Sequence, residues 1–169
     1  MARLAARVFA VMTAAMAVGL CGCKARPAGR LETAAMEDAK RWVMVGDKHV
    51  VNPLPATAEN IAEGKESFSH YCVVCHGMDG QNTGVPFADA MSPAVPSLSS
   101  RQVQAYTDGQ LHWIIEYGLR PSGMPASRGI LTDEEIWSAV VYIRRLPTAG
   151  SLGEPSVYSD AVGGAARGN

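Results

Sequence analysis

The 169-residue chain carries 15 basic and 16 acidic side chains for a net charge of −1, with 47% apolar and 18% charged residues. That length leaves little room beyond one domain. The lack of any Lys/Arg run argues against nucleic acid as a partner.

Arg3 and Arg7 precede an uncharged stretch from Val8 to Leu20. A basic start followed by a short apolar run reads as an export signal and is too short for a confident membrane span. Leu20-Cys21-Gly22-Cys23 resembles a bacterial lipobox. The expected signal peptide is therefore 1–22, with Cys23 as the lipidated N-terminus, and Cys21 as a poorer alternative acceptor. Loss of the leader leaves 13 basic against 16 acidic side chains, a net of −3. An ordinary secretory signal, or an uncleaved apolar anchor, is the competing reading.

Residues 23–56 read as a tether and approach segment, with Pro27 and Gly29 early, a short helix around Met36 to Met44, and Asn52-Pro53-Leu54-Pro55 extended or turning. A helix is expected after the N-cap Thr57, with Ile61, Gly64, Phe68 and Tyr71 on one face. Gly64 weakens that helix, so its place on the apolar face points to close approach by another helix.

Cys72-Val73-Val74-Cys75-His76 follows directly. Two cysteines separated by two residues, with histidine after the second, is the spacing for covalent haem attachment. Each thiol forms a thioether and the imidazole reaches the iron. A redox or zinc pair with an incidental histidine is the alternative, but zinc needs two further ligands, and the other cysteines, Cys21 and Cys23, lie in the leader.

From Gly77 to Ser100 no helical period is seen. Gly80, Gly84, Pro86, Pro93 and Pro96 mark a loop long enough to wrap a prosthetic group. The second helix opens at Thr107-Asp108-Gly109-Gln110, a capping box with Tyr106 and Leu111 as its staple, and Gly118 is its stop. The third opens at Thr132-Asp133-Glu134-Glu135, stapled by Leu131 and Ile136, and ends at Pro147. The Gly/Ala/Ser-rich stretch 148–169 is expected to be disordered or loosely draped. The expectation is an all-α domain over 57–147, three main helices and long loops around one haem. A unit this small buries a limited apolar core unaided, which a macrocycle would enlarge.

For the second axial position, Met124 in Ser122-Gly123-Met124-Pro125 leads. Its thioether is soft and neutral, and Met/His ligation raises the reduction potential. Core filling is the commoner role of methionine. Met78 is too close to His76, Met91 lies in the wrapping loop without a supporting pattern, His112 would give bis-histidine ligation, and His49 and His70 read as solvent-facing.

These residues together resemble a class I c-type cytochrome domain from Asn60 to Leu146. The resemblance is carried by Gly64, Phe68, Cys72 to Gly77, Asp79-Gly80, Gly123-Met124-Pro125, Trp137 and Tyr142. It implies that the first and last helices cross near Gly64, with Gly64 and Phe68 against the Trp137/Tyr142 surface. It also implies a proline carbonyl accepting the Nδ1 proton of His76, for which Pro86 is the matching position and Pro93 and Pro96 are alternatives. Trp113 is a candidate for a propionate contact or for the core.

The functional expectation is single-electron transfer between redox partner proteins outside the cytoplasm, from a lipid-anchored position, with no substrate bond broken. A haem-bearing subunit of a dehydrogenase or oxidase complex is the second reading. A haem enzyme or gas sensor with an open sixth position is the third.

Overall fold

The computed structural model describes residues 45–120 and 122–158. The signal, the lipobox with Cys23, and the helix expected around Met36 to Met44 lie outside the described residues. The described part is helical: α1 (Ala58–Tyr71), α2 (Val73–His76), α3 (Arg101–Gln104), α4 (Asp108–Tyr117) and α5 (Asp133–Ile143), with a 3₁₀ turn at Ala88–Ala90. Only isolated bridges, Leu119 with Met124 and Arg128 with Leu131, have β geometry among these residues.

All three expected helix starts form, and for the local reasons given. Thr57 accepts the Asn60 N–H at 3.2 Å at the head of α1. Thr107 with Gln110, and Thr132 with Glu135, close complete capping boxes on α4 and α5. Gly118, at φ 72°, stops α4.

The core lies where α5 crosses α1 in its largest interface, with a smaller one against α4. Phe68, Leu111, Ile115, Leu131, Ile136, Val140, Tyr142 and Ile143 form one buried cluster. Gly64 permits the crossing: a Cβ there would fall 2.0 Å from the Ser138 carbonyl oxygen and 3.0 Å from Tyr142 Cβ. Phe68 and Tyr142 meet at 5.3 Å between ring centroids, whereas Trp137 stacks on His112. Tyr71, expected on the packed face, is 54% exposed. The contact is centred on Gly64, and Tyr71 lies two turns further along α1, at its end.

Arg144 knits the α5 C-terminus to the segment before α4, donating to Asp108 Oδ1 (2.8 Å) and to the carbonyls of Gln104 (3.0 Å) and Tyr106 (2.6 Å). The short helix α3, capped by Ser100, has too few residues to show a period.

The folded region is wider than 57–147. Val45 is buried, the carbonyls of Asp47 and Val50 lie against Gly109, and Asn52 Nδ2 donates to the Trp137 carbonyl at 3.1 Å. At the other end, residues 148–158 form a strap instead of a loose tail. Gly150 N–H donates to Asp79 Oδ2 at 2.6 Å, Pro155 is fully buried, and the Tyr158 hydroxyl donates to the Val74 carbonyl at 2.7 Å. Residues 159–169 lie outside the described residues.

Candidate haem-binding site

Cys72 is both the C-cap of α1 and the N-cap of α2. Its carbonyl accepts the N–H groups of Cys75 (3.1 Å) and His76 (3.0 Å), so both thiols and the imidazole sit on one helical turn. Residues three and four apart share a helix face, which places Cys75 and His76 on the side of Cys72. Gly77 ends the turn at φ 74°, and a Cβ there would lie 2.8 Å from Thr83 N. Cys72 and Val73 pack against the core cluster, and both cysteines are free thiols.

The chemistry of this turn separates the competing readings of the motif. Burial, and then the neighbouring Cys75, push the Cys72 thiol up to about 12. Disulfide oxidoreductases rely on the opposite, a thiol with a depressed pKa. Among the described residues no three His, Cys, Asp or Glu side chains come together as a metal cluster. Burial lowers the His76 pKa to about 4, with the Pro96 backbone acting in the other direction. The imidazole is therefore neutral at ordinary pH, the state that metal ligation requires. Two thiols and one half-buried neutral imidazole on a single turn fit a covalently held haem.

The loop after Gly77 folds back on itself. Asn82 N–H donates to the His76 carbonyl (2.8 Å), Leu98 N–H to the Gly80 carbonyl (2.8 Å), and Val95 N–H to the Ala88 carbonyl (2.9 Å). This closure brings the Pro96 backbone to the His76 ring. Pro86, the position matched to this role, and Pro96, one of its alternatives, are both exposed, and His76 Nδ1 makes no hydrogen bond to either.

Asp79 is 0% exposed. It accepts from the Gln81 N–H (2.8 Å), the Thr83 hydroxyl (2.5 Å) and the Gly150 N–H (2.6 Å). Burial alone would raise its pKa, but these hydrogen bonds outweigh it and hold the carboxyl below its usual range. Sequence reading noted Asp79-Gly80 only as part of the motif. The strap it anchors passes close to the site, since burial and nearby Cys75 raise the Tyr158 phenol.

Met124 is partly buried against the same core cluster as Cys72. Leu119 N–H donates to its carbonyl at 3.3 Å, and its own N–H donates to Ser122 Oγ at 3.4 Å. Met91, a rival ligand, is at the same loop: its methyl lies 2.6 Å from where a Cβ on Gly123 would sit. His112 is buried, bonded through Nε2 to Asp133 Oδ1 at 2.8 Å and stacked on Trp137 at 4.0 Å. That accounts for it as a core histidine. Trp113 packs against Gly46 and against Tyr117 at 5.2 Å.

A family model described as cytochrome c oxidase, cbb3-type, subunit III matches residues 59–143. The chain is also 30% identical over 97 residues to the quinohemoprotein alcohol dehydrogenase ADH IIB of Pseudomonas putida. That stretch is 57% of this chain and 12% of the relative.

Proposed function

Since the chain belongs to the c-type cytochromes, in the family described as cytochrome c oxidase, cbb3-type, subunit III, we propose that it is a monohaem carrier of single electrons between redox partners. Cys72 and Cys75 hold the haem covalently. His76 and Met124 would ligate its iron. The observation that carries this reading is the single turn that presents two free thiols and a half-buried, neutral imidazole, with Cys72 packed on the apolar core.

Haem c, when bound, supplies one-electron ferric–ferrous chemistry. The chain's own residues do the rest. The Cys72 and Cys75 thiols anchor, and the His76 lone pair ligates. The cluster around Phe68 and Val140, on which Cys72 and Val73 pack, would keep water from the buried side. Met124 would hold the group together with His76, and a group so held would pass single electrons with no substrate bond broken. Trp113 as a propionate contact, and anchoring of the exported protein through lipidated Cys23, belong to the same proposal.

The test is an absorption spectrum of the haem-loaded protein beside Met124→Ala and Met91→Ala. The wild type should be low-spin with the ferric methionine–iron charge-transfer band. Met124→Ala should lose that band and Met91→Ala should keep it. The reverse pattern would make Met91 the ligand; persistence in both would remove methionine ligation.

A second reading, a haem-bearing subunit of a larger oxidoreductase, is favoured by the family description and by the named relative. Gentle extraction from native membranes distinguishes the two. A free carrier elutes alone, whereas a subunit co-elutes with a large partner at fixed stoichiometry.

A further inference from the structure

A helix leaves the carbonyls of its last turn without intrahelical partners. At the end of α4 they are taken up by the segment that returns from Met124. The Ile115 carbonyl accepts twice from Ser127, from its N–H at 3.1 Å and from its hydroxyl. The Glu116 carbonyl accepts the Arg128 N–H at 3.0 Å. We propose that Ser127 is a positioning residue: it fastens the chain after Met124 to α4 and so resists displacement of the thioether by an outside ligand. The proposal rests on the reading that Met124 ligates the haem iron.

Met124 lies between this tether and a second one. Leu119 N–H donates to the Met124 carbonyl at 3.3 Å, forming an isolated antiparallel bridge. Gly118, at φ 72°, lets the chain return this closely. A Cβ there would lie 2.7 Å from the Met124 carbonyl oxygen, 2.9 Å from the Pro125 carbonyl carbon and 2.9 Å from Ala126 N. Residues 124–126 therefore run against the end of α4, whose Ile115 belongs to the core cluster on which Met124 packs.

The backbone bond from residue 127 to Ile115 needs no particular side chain, proline excepted. What serine adds is a second, half-buried bond to the same carbonyl, whose two lone pairs can take both donors. The Arg128 side chain adds little, since it is 69% exposed and its Nε lies 3.7 Å from Glu116 Oε1. Ser127 is thus the side chain that decides how firmly the loop stays closed. An added ligand such as imidazole can bind only while Met124 is away, so its apparent affinity follows the open fraction. One neutral hydrogen bond shifts such an equilibrium by about fivefold.

The experiment titrates the haem-loaded ferric protein with imidazole while following the methionine–iron charge-transfer band. Ser127→Ala should bind imidazole about fivefold more tightly than the wild type, and its Leu119 amide proton should exchange with solvent faster by a similar factor. Ser127→Thr keeps the hydroxyl and should match the wild type. Ser127→Val, the shape of threonine without the hydroxyl, should follow Ser127→Ala, and this pair carries the test even where Ser127→Ala fails to mature. Ser138→Ala is the control for stability alone. It removes a similar hydroxyl-to-carbonyl bond, from Ser138 to Glu135 at 2.9 Å inside α5, and should leave imidazole binding unchanged. Wild-type imidazole affinity in Ser127→Ala would overturn the tether, as would an equal gain in Ser138→Ala or equal affinities in the threonine and valine variants. A wild-type ferric spectrum without the methionine–iron band would refute the ligation reading instead.

Discussion

Gly64→Ala should destabilise the protein by about 3 kcal/mol, near the upper end for overpacking. Local propensity alone predicts the opposite sign, because alanine is favoured over glycine inside a helix by about 1 kcal/mol. Sterics should win because the new Cβ would lie 2.0 Å from the Ser138 carbonyl oxygen and 2.5 Å from its carbon. Those are backbone atoms of α5 and cannot rotate away. Helices α1 and α5 would have to separate, loosening the Phe68–Tyr142 contact and the cluster on which Cys72 packs. A loss of that size should lower the melting temperature by on the order of 10 °C or more, with reduced haem attachment in a maturing host. Gly129→Ala is the comparator. Gly129 has φ +80° and nothing within 4 Å, so its cost should be only the left-handed strain, about 1–2 kcal/mol. A Gly64→Ala protein that melts with the wild type would mean that the two helices do not cross this closely.

Asp79→Asn should cost about 2–3 kcal/mol and should also change the shape of the stability profile in acid. The carboxylate accepts from three donors in a site closed to water. Hydrogen bonds to charged groups are worth about 1.5–3 kcal/mol, and stranded buried donors add a penalty. The amide keeps one acceptor oxygen and turns an NH₂ toward groups that are themselves donors. The folded pKa of Asp79 is depressed, so its stabilisation is fully present above the unfolded value of about 3.9. It is lost as pH falls through the lower folded value. The wild type should therefore lose stability below about pH 4, and Asp79→Asn should lack that part of the slope while being less stable near neutrality. The strap should also come free, since Gly150 donates to the same oxygen as Thr83, and limited proteolysis should cut within 148–158 faster. Melting curves from pH 3 to 7 on both proteins decide it. Parallel curves would show that Asp79 does not titrate with folding.

The features legible in the sequence share one property: each is local in the chain. An N-cap, its capping box and its staple span five or six residues, and the starts of α1, α4 and α5 follow from Thr57, Thr107 and Thr132. The haem motif spans five residues and needs only one helical turn to bring its thiols and imidazole together. Even the helix crossing was visible, because a glycine on an apolar face has few other uses. Hydrogen-bond partners and folded limits were not legible in this way. The bonds from Asn82 to Val95 and from Leu98 to Gly80 join loop positions whose pairing no local pattern encodes. The strap was hidden for a related reason. Its Gly/Ala/Ser composition looks unstructured, yet its order comes from an acceptor at Asp79, far along the chain.

The sequence by itself determined the helices, the cofactor attachment turn and the family resemblance, because i to i+4 chemistry does not depend on the rest of the chain. Tertiary structure alone decided what closes over Asp79. It also decided that residues 45–56 and 148–158 belong to the fold. Those contacts join segments whose separation must be closed by the whole chain before any of them can form.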